Sequence, residues 1–145
     1  MDKRRIFEVE LKGKNLKIEI DMYENRTILT GDSGTGKSFL FDCLRRLSDA
    51  ELVENIIVAD YRNHTALDNL RSYKNKLICI DNCDILLNDS LREHIVDDVN
   101  NHYLLAGRDF RRLLIGTYNI STIGHKNNKL FIEYPFVELE QGWEM

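Results

Sequence analysis

Gly31-Asp32-Ser33-Gly34-Thr35-Gly36-Lys37-Ser38 has the spacing G-x-x-x-x-G-K-S, which is typical of a phosphate-binding loop. Its glycines let the chain curl tightly and bring backbone N–H groups close to a phosphate. Lys37 could then reach the β- and γ-phosphates of a nucleotide, and the Ser38 hydroxyl could bind Mg²⁺. The stretch predicts a nucleoside triphosphate site formed by Gly31–Ser38 and the adjoining Phe39.

The residues on either side of this loop favour the same interpretation. Arg26–Thr30 reads as a short strand that leads into the loop. The apolar residues after the loop are spaced like one face of a helix: Phe39, Leu40, Cys43, Leu44 and Leu47. They predict a helix over residues 37–48, whose positive N-terminal end adds to the attraction for phosphate.

A second motif lies further along the chain. Leu77–Ile80 is an apolar run that reads as a buried strand, and Asp81 follows it directly. Open parallel sheets bind ligands at the carboxyl ends of their strands, so Asp81 would stand at the ligand edge. This resembles a Walker B strand, in which Asp81 would hold Mg²⁺ through water while Ser38 binds it on the other side.

The residue after Asp81 affects how fast ATP could be hydrolysed. Many P-loop ATPases place a glutamate there, whereas this chain has Asn82. An amide can hydrogen-bond to a water molecule but cannot accept its proton. Asp84 is the available substitute. We therefore expect ATP hydrolysis to be slow, or to be completed by a group from another chain.

The rest of the chain predicts an α/β fold with a three-layer parallel sheet. Residues 6–21 read as a β-hairpin, and strands are expected at 55–59, 77–80 and 102–107. Residues 65–74 are expected to be helical, with Thr65 as the N-cap. A capping box at Ser90–Glu93 predicts a helix that carries Leu91, Ile95 and Val99 on one side.

The C-terminal part is expected to add antiparallel strands. Residues 113–123 and 130–137 read as β-rich, with a single helical turn at 109–112 before them. Pro135 cannot donate a ladder hydrogen bond, which places the last strand at an edge of the sheet. The predicted fold is therefore a parallel sheet with antiparallel strands added at both termini.

Arg108 follows the strand at 102–107. In the order 5-1-4-3-2 that is common among P-loop ATPases, this strand lies between those that carry the two motifs. Arg108 could therefore contact the γ-phosphate or stabilise charge during transfer. The alternative is a surface ion pair with Asp109 or Asp84.

Composition limits the class of protein. The chain of 145 residues has the length of a single domain, 1–145, and its net charge of −4 does not indicate binding to nucleic acid or to an anionic membrane. No apolar run approaches the roughly 20 residues of a membrane-spanning helix. The three cysteines, Cys43, Cys79 and Cys83, lack the spacing of a metal site and are expected to be reduced thiols in a cytoplasmic protein.

The strand pair that leads into G-D-S-G-T-G-K-S resembles the N-terminal lobe of ABC-type and SMC-type ATPases. The I-D-N-C-D segment, followed by Leu104-Leu105-Ala106-Gly107-Arg108-Asp109, resembles small stand-alone P-loop NTPases, ABC/SMC- or AAA-like, of bacterial mobile elements. The resemblance implies a compact P-loop NTPase fold, with Gly31–Ser38 and Asp81 at the nucleotide.

The leading hypothesis is an ATP-binding protein that uses Mg²⁺, has weak or partner-dependent ATPase activity, and acts as a regulatory switch. Lys37, Asn82, Asp84 and Arg108 are its candidate catalytic residues. A protein partner or self-association would read the nucleotide state. The alternative is a small-molecule or nucleotide kinase, because Asp60 ends a strand where it could deprotonate an acceptor hydroxyl. A structural protein with a vestigial loop is a third possibility.

Overall fold

A computed structural model describes residues 7–12, 17–22, 24–30, 37–49, 55–109, 120–126 and 129–133, and the statements below concern these residues. The strands are β1 (Phe7–Lys12), β2 (Lys17–Met22), β3 (Arg26–Leu29), β4 (Ile56–Ala59), β5 (Leu77–Ile80), β6 (His102–Ala106), β7 (Ile120–Lys126) and β8 (Lys129–Glu133). The helices are α1 (Lys37–Asp49), a 3-10 helix (Thr65–Ser72), α2 (Cys83–Leu86) and α3 (Asp89–Asp97).

The strands form one mixed sheet in the order β1-β2-β8-β7-β3-β6-β5-β4. From β7 to β4 every neighbouring pair is parallel, and these strands follow the predicted order 5-1-4-3-2. The sheet as a whole is mixed, and both termini add antiparallel pairs, as the sequence predicted. β1 pairs antiparallel with β2, β7 pairs antiparallel with β8, and a parallel β2–β8 pairing joins the N-terminal hairpin to the rest.

The expected edge position of the last strand is wrong. β8 pairs with β2 on one side and with β7 on the other, and the edges of the sheet are β1 and β4. The pairing is possible because β8 ends at Glu133, before the proline that lacks a donor. Pro135 lies outside the described part of the chain, as do residues 110–112 of the helical turn that was expected at 109–112.

Two apolar clusters lie on opposite faces of the parallel strands. Successive strand residues point to opposite faces, so Leu77 and Cys79 pack with α1 whereas Ile78 and Ile80 pack with α2, α3 and the 3-10 helix. The α1 cluster also contains buried residues of the terminal strands: Ile18, Ile20, Met22, Leu130 and Ile132. The terminal strands therefore extend both the main sheet and its apolar core.

The helix termini differ from the sequence expectations. The segment after His64 is a 3-10 helix, and no side chain caps it, so Thr65 is not an N-cap. Asn88, not Ser90, caps α3, because its side chain accepts a hydrogen bond of 2.8 Å from the Leu91 N–H. Val99 lies beyond the end of α3 and is 76% exposed, so it does not face the core.

A buried polar network holds the amino ends of the parallel strands. The fully buried Asn101 accepts from the N–H of Lys76 and donates to the Tyr73 carbonyl and the Asp98 carboxylate, at 3.0, 2.8 and 2.8 Å. The Tyr103 hydroxyl donates to the same carboxylate at 2.5 Å. Arg26 donates to the Asp98 carbonyl just beyond α3, where a cation is favoured. We call Arg26, Asp98, Asn101 and Tyr103 the amino-edge network.

Candidate nucleotide site

The described residues next to the glycine-rich stretch are held in place from both sides. β3 ends one residue before Thr30, and α1 begins at Lys37, so the stretch runs from a buried strand to a helix N-terminus. Lys37 is half-buried, Ser38 is exposed and Phe39 is 51% exposed. The buried Leu40, Phe41 and Leu44 fix α1 on the sheet. Residues 31–36 lie outside the described part of the chain.

The end of β3 is fixed by a polar contact that the sequence analysis missed. Both the N–H and the hydroxyl of Thr30 donate to the Ser121 carbonyl, at 2.8 and 3.0 Å. The buried Ser121 hydroxyl donates in turn to the Ile28 carbonyl at 2.9 Å. A Ser on a strand gives no distinctive signal, because its partner is 93 positions away in the chain. The pair anchors the residue from which the glycine-rich stretch departs.

Asp81 lies where the sequence predicted it, at the carboxyl end of β5. Its N–H donates to the Ala59 carbonyl at 2.9 Å, and its half-buried carboxylate accepts from the Asn82 N–H at 2.8 Å. β6 separates β5 from β3, so two strand spacings, about 10 Å, separate Asp81 from the end of β3. Asp81 and the end of β3 therefore lie at the same edge of the sheet.

Asn82 has a backbone conformation that explains its residue type. Its φ of 55° and ψ of 39° lie in the left-handed region, which asparagine tolerates better than glutamate does. The side-chain Oδ1 is buried and has no hydrogen-bond partner among the described residues. A buried unpaired acceptor is unfavourable, so this atom is suited to receive a donor that a ligand or water would bring.

The carboxyl end of β6 packs tightly against α2. A Cβ on Gly107 would lie 2.7 Å from the Asp84 Oδ1 and 3.3 Å from the Cys83 backbone nitrogen. A methyl group at this point would displace the Asp84 carboxylate and press on the backbone of α2. Arg108 follows directly and is exposed, so its guanidinium is free to turn toward the site. The close approach connects two candidate residues, Asp84 and Arg108, through one rigid contact that the sequence did not reveal.

Burial disfavours ionisation of the three cysteines. Burial raises the pKa of Cys83 far above its ordinary value, and its thiol donates to the Ile80 carbonyl at 3.1 Å. Burial likewise raises the pKa of Cys79 and, less strongly, that of Cys43. All three thiols are free, as expected. Across the described residues, His, Cys, Asp and Glu form no group of three that could hold a metal ion.

Both oxygens of the Asp60 carboxylate already have partners within the protein. Its Oδ1 accepts from the N–H groups of Arg62 and Asn63, both at 2.9 Å. Its Oδ2 forms an ion pair with Arg45 of α1. An acceptor substrate would have to displace these partners before Asp60 could act as a base, so the geometry does not favour the kinase role assigned to Asp60.

Comparison of the chain with models of protein families, with curated proteins and with solved structures found no match. In the described segments, no helix is both long and apolar enough to cross a membrane. A functional assignment for this chain therefore depends on its motif and on the geometry around the carboxyl ends of β3, β5 and β6.

Proposed function

We propose that this protein binds Mg²⁺-ATP in a P-loop NTPase fold and acts as a regulatory switch with weak or partner-dependent ATPase activity. One observation carries the proposal: a buried strand, G-x-x-x-x-G-K-S and a helix follow each other directly, and Asp81 ends a parallel strand of the same sheet. Mg²⁺ is typically held by one or two protein groups together with substrate phosphates. Ser38 and Asp81 would be those groups.

Slow turnover follows from the residues around Asp81. Asn82 supplies an amide and no base, and its left-handed backbone accounts for the absence of glutamate. Asp84 is the nearest other carboxylate in sequence, and it lies against Gly107. General-base assistance is typically worth about 10²–10⁴-fold in rate, so its absence would leave a long-lived ATP complex suited to signalling.

Binding is tested by thermal unfolding with Mg²⁺-ATP. A ligand at about 100 times its dissociation constant stabilises the folded state by about 2.7 kcal/mol, and this raises the melting temperature. Lys37→Ala should lose most of that increase. Lys74→Ala, which removes an exposed lysine near the amino end of β5, is the matched control and should keep it. Equal shifts in both variants would overturn the phosphate-binding role.

The role of Arg108 is tested by comparing nucleotides. If Arg108 contacts the γ-phosphate, Arg108→Ala should weaken ATP binding by about 1–3 kcal/mol and leave ADP binding nearly unchanged. Isothermal titration calorimetry measures both affinities. Equal losses for ATP and ADP would make Arg108 a structural residue.

Labelled ATP separates the ATPase from a kinase, because a kinase would transfer the label to an added acceptor.

A further inference from the structure

The two halves of the sheet meet directly before the glycine-rich stretch. The described residues of β3 and β7 are paired in register at two positions, Ile28 with Ile120 and Leu29 with Ser121. These pairs join β3, β6, β5 and β4 to the terminal strands. β3 ends at Leu29, so the pairing lies at the very end of the strand. We call the two pairs, together with Thr30, the β3–β7 junction.

Two hydroxyl groups reinforce this junction. The Thr30 hydroxyl and the Thr30 N–H both donate to the Ser121 carbonyl, at 3.0 and 2.8 Å. The Ser121 hydroxyl, on a fully buried residue, donates to the Ile28 carbonyl at 2.9 Å. The ends of secondary structure elements open most easily. The hydroxyls therefore add hydrogen bonds at the end of β3 where backbone pairing is weakest.

A third hydroxyl in this region gives a comparison. Thr27 of β3 is 1% exposed, and its hydroxyl has no hydrogen-bond partner among the described residues. Thr27 and Thr30 are three residues apart in the chain, yet only Thr30 is bonded through its hydroxyl to β7. The paired threonine is therefore the one that adjoins the glycine-rich stretch.

The other end of the glycine-rich stretch is fixed by apolar contacts. α1 begins at Lys37, and its buried Leu40, Phe41 and Leu44 pack on the sheet. Residues 31–36 therefore connect two fixed ends, and three of them are glycines. Glycine loses more conformational freedom on ordering than any other residue. A phosphate loop of this composition should bind more tightly when both of its ends are already fixed, because less freedom is then lost on binding.

We propose that Thr30 and Ser121 are positioning residues that set the affinity of the phosphate loop for nucleotide. Their hydroxyls fix the β3 end of the loop on β7, and so reduce the ordering that phosphate binding requires. This role rests on the proposed function and adds to its site two residues outside the G-x-x-x-x-G-K-S motif. Because it acts through the loop backbone, which binds phosphates that ATP and ADP share, it should affect both nucleotides equally.

Isothermal titration calorimetry with Mg²⁺-ATP and with Mg²⁺-ADP tests the two hydroxyls. Thr30→Val removes one hydroxyl at nearly constant shape and keeps the N–H bond to the Ser121 carbonyl. Thr30→Val and Ser121→Ala should each raise both dissociation constants about threefold or more, the change expected for one hydrogen bond. Thr30→Ser keeps the hydroxyl and should bind like the parent. Thr27→Val removes an unpaired hydroxyl of the same strand, and this matched control should change neither constant.

Urea unfolding establishes that each variant is folded at the temperature of the titration, so a change in affinity does not reflect a smaller folded fraction. Thr30→Val alone is sufficient if Ser121→Ala fails to fold. A parent that binds Mg²⁺-ATP, with Thr30→Val binding as tightly as the parent or as Thr27→Val, would overturn the positioning role alone. A loss for ATP without a loss for ADP would also overturn it. A parent that binds neither nucleotide would overturn the proposed function, and the positioning role with it.

Discussion

The two ends of the parallel strands differ in how their polar groups are paired. At the amino end, Asn101 uses both polar atoms of its side chain in three hydrogen bonds, two to the segment before β5 and one to Asp98. At the carboxyl end, the buried Oδ1 of Asn82 has no partner among the described residues, and large apolar side chains are exposed. Fully paired buried networks stabilise a fold, whereas unpaired buried groups mark places where a ligand can bind. The amino end also holds an unpaired buried atom within the described part of the chain, the His94 Nε2, which lies 3.5 Å from the Asp98 carboxylate. The network around Asn101 therefore stabilises the amino end, and the site that we propose lies at the carboxyl end.

The largest effect is expected at the amino end. Asn101→Ala removes the side-chain hydrogen bonds to the Lys76 N–H and the Tyr73 carbonyl and one donor to Asp98. Loss of the partner of a buried polar group costs about 1–3 kcal/mol, and two such hydrogen bonds are lost, so the free energy of unfolding should fall by at least about 2 kcal/mol. Urea unfolding measures it. Asn69→Ala, at an exposed asparagine in the 3-10 helix, should change it by less than about 0.5 kcal/mol. A small effect of Asn101→Ala would remove the contrast between the two ends.

A steric substitution probes the carboxyl end. Gly107→Ala brings a methyl group against Asp84 and α2, and overpacking of this kind costs about 1–3 kcal/mol. Adding Asp84→Ala should recover part of the loss, because the closest contact, at 2.7 Å, is with the Asp84 carboxylate. A double-mutant cycle of unfolding free energies measures the recovery. Additive losses would mean that Gly107 and Asp84 are not in contact.

The left-handed backbone at Asn82 predicts a smaller loss of stability on substitution, and the amide side chain predicts an effect on ATP hydrolysis. Asn82→Ala should destabilise the protein by about 1 kcal/mol, the lower end of the cost of left-handed backbone, whereas Asn82→Gly should not. Asn82→Glu should show the same loss of stability yet hydrolyse ATP at least about tenfold faster, because it supplies a base. Chemical unfolding and phosphate release are the two measurements. Fast hydrolysis in the parent that is unchanged in Asn82→Gly would place the catalytic group elsewhere, with Asp84 next to be tested.

The smallest effect concerns acid stability. Burial raises the pKa of Asp98, but hydrogen bonds from Tyr103, Asn101 and Asn100 outweigh it, so the pKa lies below its usual value. A carboxylate with a lowered pKa stabilises the fold above its unfolded-state pKa, near 4, and this contribution is lost as the pH falls through the folded-state value. Unfolding free energy should therefore decline below about pH 4. Asp98→Asn should be less stable at neutral pH and show a shallower decline. An equally steep decline would assign the acid sensitivity to other carboxylates.

Local sequence patterns were sufficient to predict the strands and the first helix at the core of the fold. The apolar runs before Asp60 and Asp81 predicted β4 and β5, and the glycine-rich stretch predicted the start of α1 at Lys37. The order of the parallel strands also agreed, although it had been taken from P-loop ATPases and not from the strands themselves.

The features that were missed depend on distant partners or on backbone angles. The position of β8 is set by pairing with β2, which is more than 100 residues earlier in the chain. The Thr30–Ser121 contact and the network around Asn101 likewise join separated segments. The left-handed backbone of Asn82 was missed because its side-chain chemistry alone was considered, although asparagine is also a residue that tolerates this conformation.

Hydrogen exchange with and without Mg²⁺-ATP tests the division between the two ends most directly. Ligand contacts suppress local opening, so amides near the bound nucleotide should exchange more slowly. We predict that protection is concentrated in peptides that cover residues 31–40, 81–85 and 107–109, with smaller changes across the amino-edge network. No protection at residues 31–40, or protection that is greatest at residues 98–103, would contradict the nucleotide site proposed for this protein.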